Sequence, residues 1–410
     1  MRSASWIALS FVTLGAVALA CGSSNERSGF DPNQSSGGPG GSSGNSSSGV
    51  IGGNDGGSSG GPACVPTKGA YDFPGNNCDD DADGTVDNPP TCDAMVTGNE
   101  GEDLAKAMGI CTKAAEAGFG LVKATITRGN GQTPSPNQYS VMPKFGDVVK
   151  PREGGKLVVL STGFAQEYDG APGVAFGGEE AGSGIFDPPK QYGKGWGANN
   201  QGAAGSLPAG FPKAANGCDQ DNKVYDVVNV KLEMKAPANA AGVKFDFNFF
   251  SGEWPAYICS RFNDGFIAYL SSPGFNNGTP DNISFDSQKN PVSVNNSFFD
   301  RCTPNVPTGC SEDAKPGTST CPAGPAELGG TGFGIVKNWC AIHGSGGKPS
   351  VNGGSTGWLT SQAPVKAGEN FTIEFIIWDT GDGAFDSSVL LDNFSFVAGE
   401  VTTGTVRPPN

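Results

Sequence analysis

The chain has 410 residues, a formal net charge of −15, 65 glycines, 30 prolines and one histidine, and only 16% of its residues are charged. So acidic a surface attracts neither nucleic acid nor anionic lipid, and a single imidazole leaves little room for histidine-based catalysis or a zinc centre. Glycine and proline well above their usual share point to short strands joined by long turns, not to a helical bundle.

The N-terminus is basic at Arg2 and runs into an apolar stretch from Trp6 to Ala20. That stretch is too short to span a bilayer and suits the apolar region of a signal peptide. It ends in Val17-Ala18-Leu19-Ala20-Cys21, directly before a polar tract. This ending resembles a bacterial lipobox, although Ala18 stands where that pattern prefers Leu. The resemblance implies cleavage after residue 20, lipid on Cys21 and, with Gly22 next, retention at the outer membrane or cell surface. The alternative is an ordinary cleaved signal peptide in which Cys21 has no special role. Residues 22–62 are Ser, Gly and Asn with few apolar side chains, so they bury too little to offset their ordering entropy. About 40 residues of such chain reach roughly 35 Å, the length of a flexible tether.

The other ten cysteines are Cys64, Cys78, Cys92, Cys111, Cys218, Cys259, Cys302, Cys310, Cys321 and Cys340. An even number in an exported chain reads as a disulfide framework, and none forms a C-x-x-C pair. Residues 63–96 form a small Cys-rich piece containing Asp79, Asp81, Asp83, Gly84 and Asp87. Carboxylates two residues apart curl onto one centre, and a following Gly takes the sharp turn that calcium loops need. The segment resembles the Asp-rich metal-binding motif of secreted bacterial proteins and, more distantly, the thrombospondin type 3 repeat, which implies calcium. A solvated acidic turn pinned by disulfides is the alternative.

One helix is expected next, capped by Asn99 with Glu102 three residues later and ended by Gly118. Leu104, Met108, Cys111 and Ala115 share one face, a packing stripe. From Lys156 the apolar period changes to two. Strands are expected over Lys156–Gly163, Val228–Met234, Val243–Phe249, Gly265–Leu270, Phe371–Trp378 and Ser388–Val397. Lys244, Asp246 and Asn248 are expected to face outward. Asn-Gly pairs at Asn130, Asn216, Asn277 and Asn352 mark turns. The expected fold is mainly β, a jelly-roll-like antiparallel β-sandwich with one N-terminal helix and long disulfide-linked loops.

Phe247-Asn248-Phe249-Phe250-Ser251-Gly252-Glu253-Trp254-Pro255, Asn263-Asp264-Gly265-Phe266 and Asp386-Ser387-Ser388-Val389-Leu390-Leu391-Asp392-Asn393 together resemble the choice-of-anchor L domain of exported bacterial proteins. Gly252 and Trp254 depart from that family's Glu and Tyr. The resemblance covers residues 97–398, leaving 399–410 as a disordered tail, and it implies a surface location without a reaction.

A second calcium site is expected from Glu253, Asp264 and Asp386, which flank strands, with Asp392 holding backbone amides in a turn. Otherwise each acid caps its own turn. A glycosidase would need two facing carboxylates, drawn from the same acids. His343, the sole histidine, lies in a Gly/Ser stretch that reads as a loop. Trp196, Trp254, Trp339 and Trp358 lie near Gly-rich turns, where exposed rings would stack on sugar. The expected protein is a surface-tethered, non-catalytic adhesive or structural lipoprotein stabilised by calcium. A carbohydrate-binding module is the alternative and a glycan-acting hydrolase the second. The expected partners are the membrane through the anchor alone, and a surface glycan or another surface protein.

Overall fold

The computed structural model describes residues 64–167, 205–215, 217–296, 298–310, 313–333, 340, 353–383 and 385–408. The signal peptide, Cys21, the tether, Trp196, Trp339, His343 and the turns at Asn216 and Asn352 lie outside the described residues. In chain order the strands are β1 (Gly120–Thr127), β2 (Tyr139–Met142), β3 (Leu157–Ser161), β4 (Val224–Lys235), β5 (Gly242–Ser251), β6 (Gly265–Ser271), β7 (Asp281–Asn282), β8 (Val292–Ser293), β9 (Pro307–Thr308), β10 (Gly317–Thr318), β11 (Gly354–Ser355), β12 (Leu359–Pro364), β13 (Asn370–Thr380), β14 (Ser387–Val397) and β15 (Gly404–Val406).

One sheet runs β1-β4-β13-β6-β7, with β8 also paired to β6. The other runs β15-β12-β5-β14-β3-β2, with β11 also paired to β5. Neighbours in both sheets are antiparallel. Strands β4, β5, β6 and then β12, β13, β14 alternate between the two sheets, as jelly-roll connections do. The core fills the space between them. Phe245 meets Phe375 edge-on with centroids 4.9 Å apart, and Phe247 meets Phe266 at 5.2 Å.

Period-two reasoning assigns each sheet one buried face, but the structure covers both. Phe145, Leu157, Phe250, Phe333 and Leu390 pack on the far side of the second sheet. Val224, Val227, Ile267, Ile376 and Trp378 pack outside the first. Asp246 and Asn248, expected to face water, are therefore buried under loops. Asp246 is held there by the Arg152 guanidinium at 3.1 Å and by donors from Thr360 and Asn393.

The expected single helix is two short ones, α1 (Gly101–Ala107) and α2 (Ala114–Ala117). Gly109 takes a φ of +89° and Cys111 is tied to Cys92, which breaks the run between them. Leu104 and Met108 are buried as expected, whereas Ala115 is exposed. Glu100 is the N-cap, in a capping box with Asp103, and Asn99 instead accepts from the Val141 amide. The tail is ordered too. Strand β15 pairs with β12, and Arg407 donates to the carbonyls of Thr356 and Phe298 and pairs with Asp300. Nor does the Asp-rich segment stand apart, since Phe73 joins the core and Tyr71 meets Phe119 and Phe396 edge-on.

Gly265 opens β6 directly against the Trp378 indole. A Cβ there would lie 2.5 Å from the ring, and Trp378 is itself buried and donates its Nε1 hydrogen to Thr380. Gly265→Ala should therefore cost about 1–3 kcal/mol through overpacking. Chemical denaturation reads this, and a wild-type midpoint would refute it.

Candidate metal centre

The inward-facing apolar rows of three adjacent strands each end in an acid. In β13 the row Ile373, Phe375, Ile377 continues to Asp379. In β6 the row Leu270, Ala268, Phe266 runs back to Asp264. In β4 the row ends at Asp226, where two residues of β4 oppose one of β13 in a β-bulge. A bulge re-aims the side chain it carries, and Asp226 has a φ of +50°. The strand order β4-β13-β6 sets Asp379 between the other two.

The second sheet faces this row with the residues after β5 and before β14. Ser251 pairs with Ser387, and the Gly252 amide donates to the Asp386 carbonyl at 3.0 Å. Glu253 follows, its carbonyl accepting from the Tyr257 amide. Asp382, partly exposed, lies in the turn between β13 and β14. Exposure is 0% for Asp379, 1% for Asp226 and Asp264, 2% for Glu253 and 3% for Asp386.

The hydrogen bonding is uneven. Asp264 accepts from the Thr380 amide at 3.0 Å and from the Ser387 hydroxyl at 2.7 Å. Neither oxygen of Asp379 receives a well-formed hydrogen bond; its polar neighbours are the Asp264 carboxyl and the Thr162 hydroxyl. Oε2 of Glu253 is likewise buried without a hydrogen-bond partner. Among the described residues no lysine or arginine forms an ion pair with Glu253, Asp264 or Asp379.

Burial pushes the carboxyls of Glu253, Asp264 and Asp379 upward. Asp264 rises to about 7, held from going further by its contact with Asp379 and by the Ser387 and Thr380 donors. Burial lifts Asp379 well above its ordinary value, and the charges of Asp264, Asp386 and Asp226 add to the push. Glu253 is lifted by burial, then by Asp264 and Asp382. Buried like charges of this kind demand a proton or a cation. A donor set of oxygens alone matches calcium, not zinc or copper.

Asp79, Asp81 and Asp83 form a second group. Their carboxylates bring one oxygen each within 4.8 Å of the other two, which no other acids among the described residues do. The buried acids must therefore turn inward to share an ion. In the Asp-rich loop Asp79 accepts from the amides of Asp83 and Gly84, at 3.1 and 3.0 Å. Gly84, with a φ of +98°, makes the turn that the motif requires. Asp87 turns away to accept from the amides of Asn76 and Asn77.

Of the residues expected at the second site, Glu253 is near enough to Asp264, and Asp386 to Asp379, for the charges of each pair to act on one another. Asp392 is elsewhere. On the far side of the second sheet it accepts from the amides of Arg152, Glu153 and Asn393, and burial raises it to about 7. Asp226 and Asp379 escaped the sequence reading, although an acid at an inward-facing strand position is a readable signal. Trp254 is no sugar platform: it is buried, stacked 4.9 Å from Phe299 with the rings 7° apart. Trp358 packs against the cluster around Phe250.

All ten expected cysteines pair, as Cys64–Cys78, Cys92–Cys111, Cys218–Cys259, Cys302–Cys321 and Cys310–Cys340. Five disulfides belong to an oxidising compartment.

A family model for the choice-of-anchor L domain matches residues 156–397. The match starts later than residue 97, so the helical part precedes it. No curated protein matches the sequence. Among solved structures, TmCBM61 in complex with beta-1,4-galactotriose is 7% identical, with 68% of this chain and 90% of that one covered and a TM-score of 0.23. The K2 cleaved adhesin domain of Lys-gingipain is 10% identical, with 67% and 98% covered and a TM-score of 0.21. Likenesses this low carry no argument about function.

Proposed function

The chain belongs to the choice-of-anchor L domain family, and from that premise we propose that it is an exported, surface-held β-sandwich with an adhesive or structural role, without catalysis, locked by calcium. One observation carries the reading: the carboxylates at the end of the core are at most 3% exposed. A general acid or nucleophile must touch its substrate, and these acids are shut away from solvent. Their seclusion suits an ion, not a glycosidic bond. Glu253, Asp264 and Asp386 belong to that buried site in this reading, and Asp79, Asp81 and Asp83 to a second, shallower one. Asp87, occupied with amides, supports its loop from outside.

The proposed attachment is lipid on Cys21 followed by the Gly/Ser tether, which holds the sandwich clear of the outer membrane or cell surface. The partner is a surface glycan or another surface protein. Fractionation of cells expressing the full chain and its Cys21→Ser variant tests the attachment. The variant should leave the membrane fraction, and unchanged retention would remove the lipid anchor from the proposal.

A groove of about 470 Å³ favours the glycan partner. Phe211, Phe275 and Phe285 line it together with Lys213, Lys289 and Asp281. Phe275 is buried and the Lys289 ammonium lies 3.5 Å over the Phe285 ring, so what the groove offers is an apolar wall with a few polar groups, the make-up of a small-ligand site. Phe285→Ala should abolish any signal on a glycan array, and a protein that binds no glycan would leave a protein partner as the reading.

A further inference from the structure

We propose that the groove between Phe211 and Phe285 takes a sugar chain carrying carboxylates, a uronic-acid glycan, and that the Lys213 and Lys289 ammonium groups pair with those carboxylates. This rests on the reading of the groove as the glycan site. A tight turn builds its polar edge. The Asp286 carboxylate accepts from the amides of Gln288 and Asn290 and from the Asn290 side chain, each at 2.9 Å. The Lys289 amide donates to the Asp286 carbonyl at 3.0 Å, and Phe285 and Pro291 pair across the base of the turn. This turn holds Lys289 at a φ of +63°, a left-handed conformation that a lysine takes only at a cost. The ammonium of that residue lies 3.5 Å over the Phe285 ring. Backbone strain of this kind collects where a side chain is aimed at a ligand.

The positive charge in the groove is not matched. Among the described residues neither Lys213 nor Lys289 forms an ion pair. Lys213 donates to the Lys289 carbonyl at 3.1 Å, which brings its ammonium beside the turn with hydrogens to spare. Desolvation lowers the pKa of Lys289, and the charge of Asp281 opposes that shift. Asp281 is the sole acid among the described residues that line the groove, and its carboxylate accepts from the Asn282 amide at 2.8 Å. Asn276 and Asn282 each commit an amide hydrogen to a carbonyl, of Thr279 and Ser284. Two ammonium groups against one carboxylate leave the groove positive on a chain of net charge −15. A neutral sugar would leave that charge unpaired, whereas a uronate accepts charge-assisted hydrogen bonds from it. Phe211 and Pro364, both half-buried, supply the apolar wall that suits the C–H face of a sugar ring.

Calorimetric titration of the intact, disulfide-bonded chain with hexagalacturonate, and with the same hexasaccharide after its carboxylates are reduced to alcohols, tests the proposal. The acidic form should bind about tenfold tighter or better, the weight of one hydrogen bond to a charged group. Lys213→Gln and Lys289→Gln should each weaken the acidic form by about tenfold on the same scale and leave the neutral form unchanged. Lys289→Arg should keep the preference for the acidic form. Both lysines are exposed, so these variants should melt as the unmodified chain does. The rest of so acidic a chain repels a polyanion, so a loss in the variants reads on the groove. Equal binding of the two hexasaccharides would overturn the uronic-acid assignment and leave the glycan reading standing. Acid-selective binding that survives the double Lys213→Gln/Lys289→Gln variant would overturn it as well, because the anion then sits elsewhere. Binding of neither form would also overturn it. A glycan array then decides the parent reading: neutral sugars bound leave the groove a glycan site, and an empty array removes both.

Discussion

Stripping divalent cations from the purified, oxidised protein at pH 8 should lower its melting temperature by roughly 10 °C, and mild acid should recover part of the loss. A ligand at a hundred times its dissociation constant stabilises by about 2.7 kcal/mol per site. For a domain of this size each kilocalorie is worth about 2 °C. The cation-free state should fare better in acid for a reason of sign. Glu253, Asp264 and Asp379 have folded values raised by burial, Asp264 to about 7. Between their ordinary values near 4 and the raised ones, the folded chain therefore binds more protons than the unfolded chain. Stability then falls as pH rises through that window. Asp392, raised by burial to about 7 against the pull of its three amide donors, adds to the same slope. Calcium opposes the slope, because its ligands must be deprotonated. Scanning calorimetry at pH 5.5 and pH 8, in chelator and in millimolar calcium, separates the cases. A chelated protein that melts at the same temperature with and without calcium would sink the site. A melting temperature in chelator that rises with pH would contradict the burial argument.

Removing the Cys218–Cys259 bridge by a double Cys→Ala substitution should cost about 4 kcal/mol and weaken calcium binding as well. The bridge spans 41 residues, and in the loop-entropy account a closure of that length removes about 4 kcal/mol of unfolded-state freedom. The coupling to the metal centre comes from position. The Cys259 amide donates to Asn295, and the Asn295 amide donates to Asn263, the neighbour of Asp264. Loosening Cys259 therefore frees the segment that carries Glu253 and Asp264. Removing Cys64–Cys78, with a separation of 14, should cost about 3 kcal/mol by the same account and leave the buried site unaffected. Urea unfolding and calcium titration of the two variants make the comparison. Equal losses of buried-site affinity in both would show that the bridge does not position the site.

The strands were legible because period-two alternation is a local property. Val243, Phe245, Phe247 and Phe249 declare an inward face without knowledge of their partners, and β5 takes that register. Composition likewise carried the five disulfides, since ten cysteines in an exported chain have few other uses, but which cysteine meets which depends on loops that only the fold brings together. The helix failed at Gly109 because a disulfide from Cys92 competes with propensity there. Asp246 and Asn248 failed because loops distant in sequence roof the second sheet.

By itself the sequence determined the class of fold, the inward faces, the Asp-rich loop, and Glu253 and Asp264 as acids worth watching. All of these follow from residues close together along the chain. Only the tertiary structure decided that Asp226, Asp264 and Asp379 form one row. Their nearness comes from the order β4-β13-β6, in which a strand late in the chain inserts between two earlier ones. The same pairing gives each strand's inward row a common end, so acids that look like isolated turn caps in the sequence become one buried, mutually repelling group.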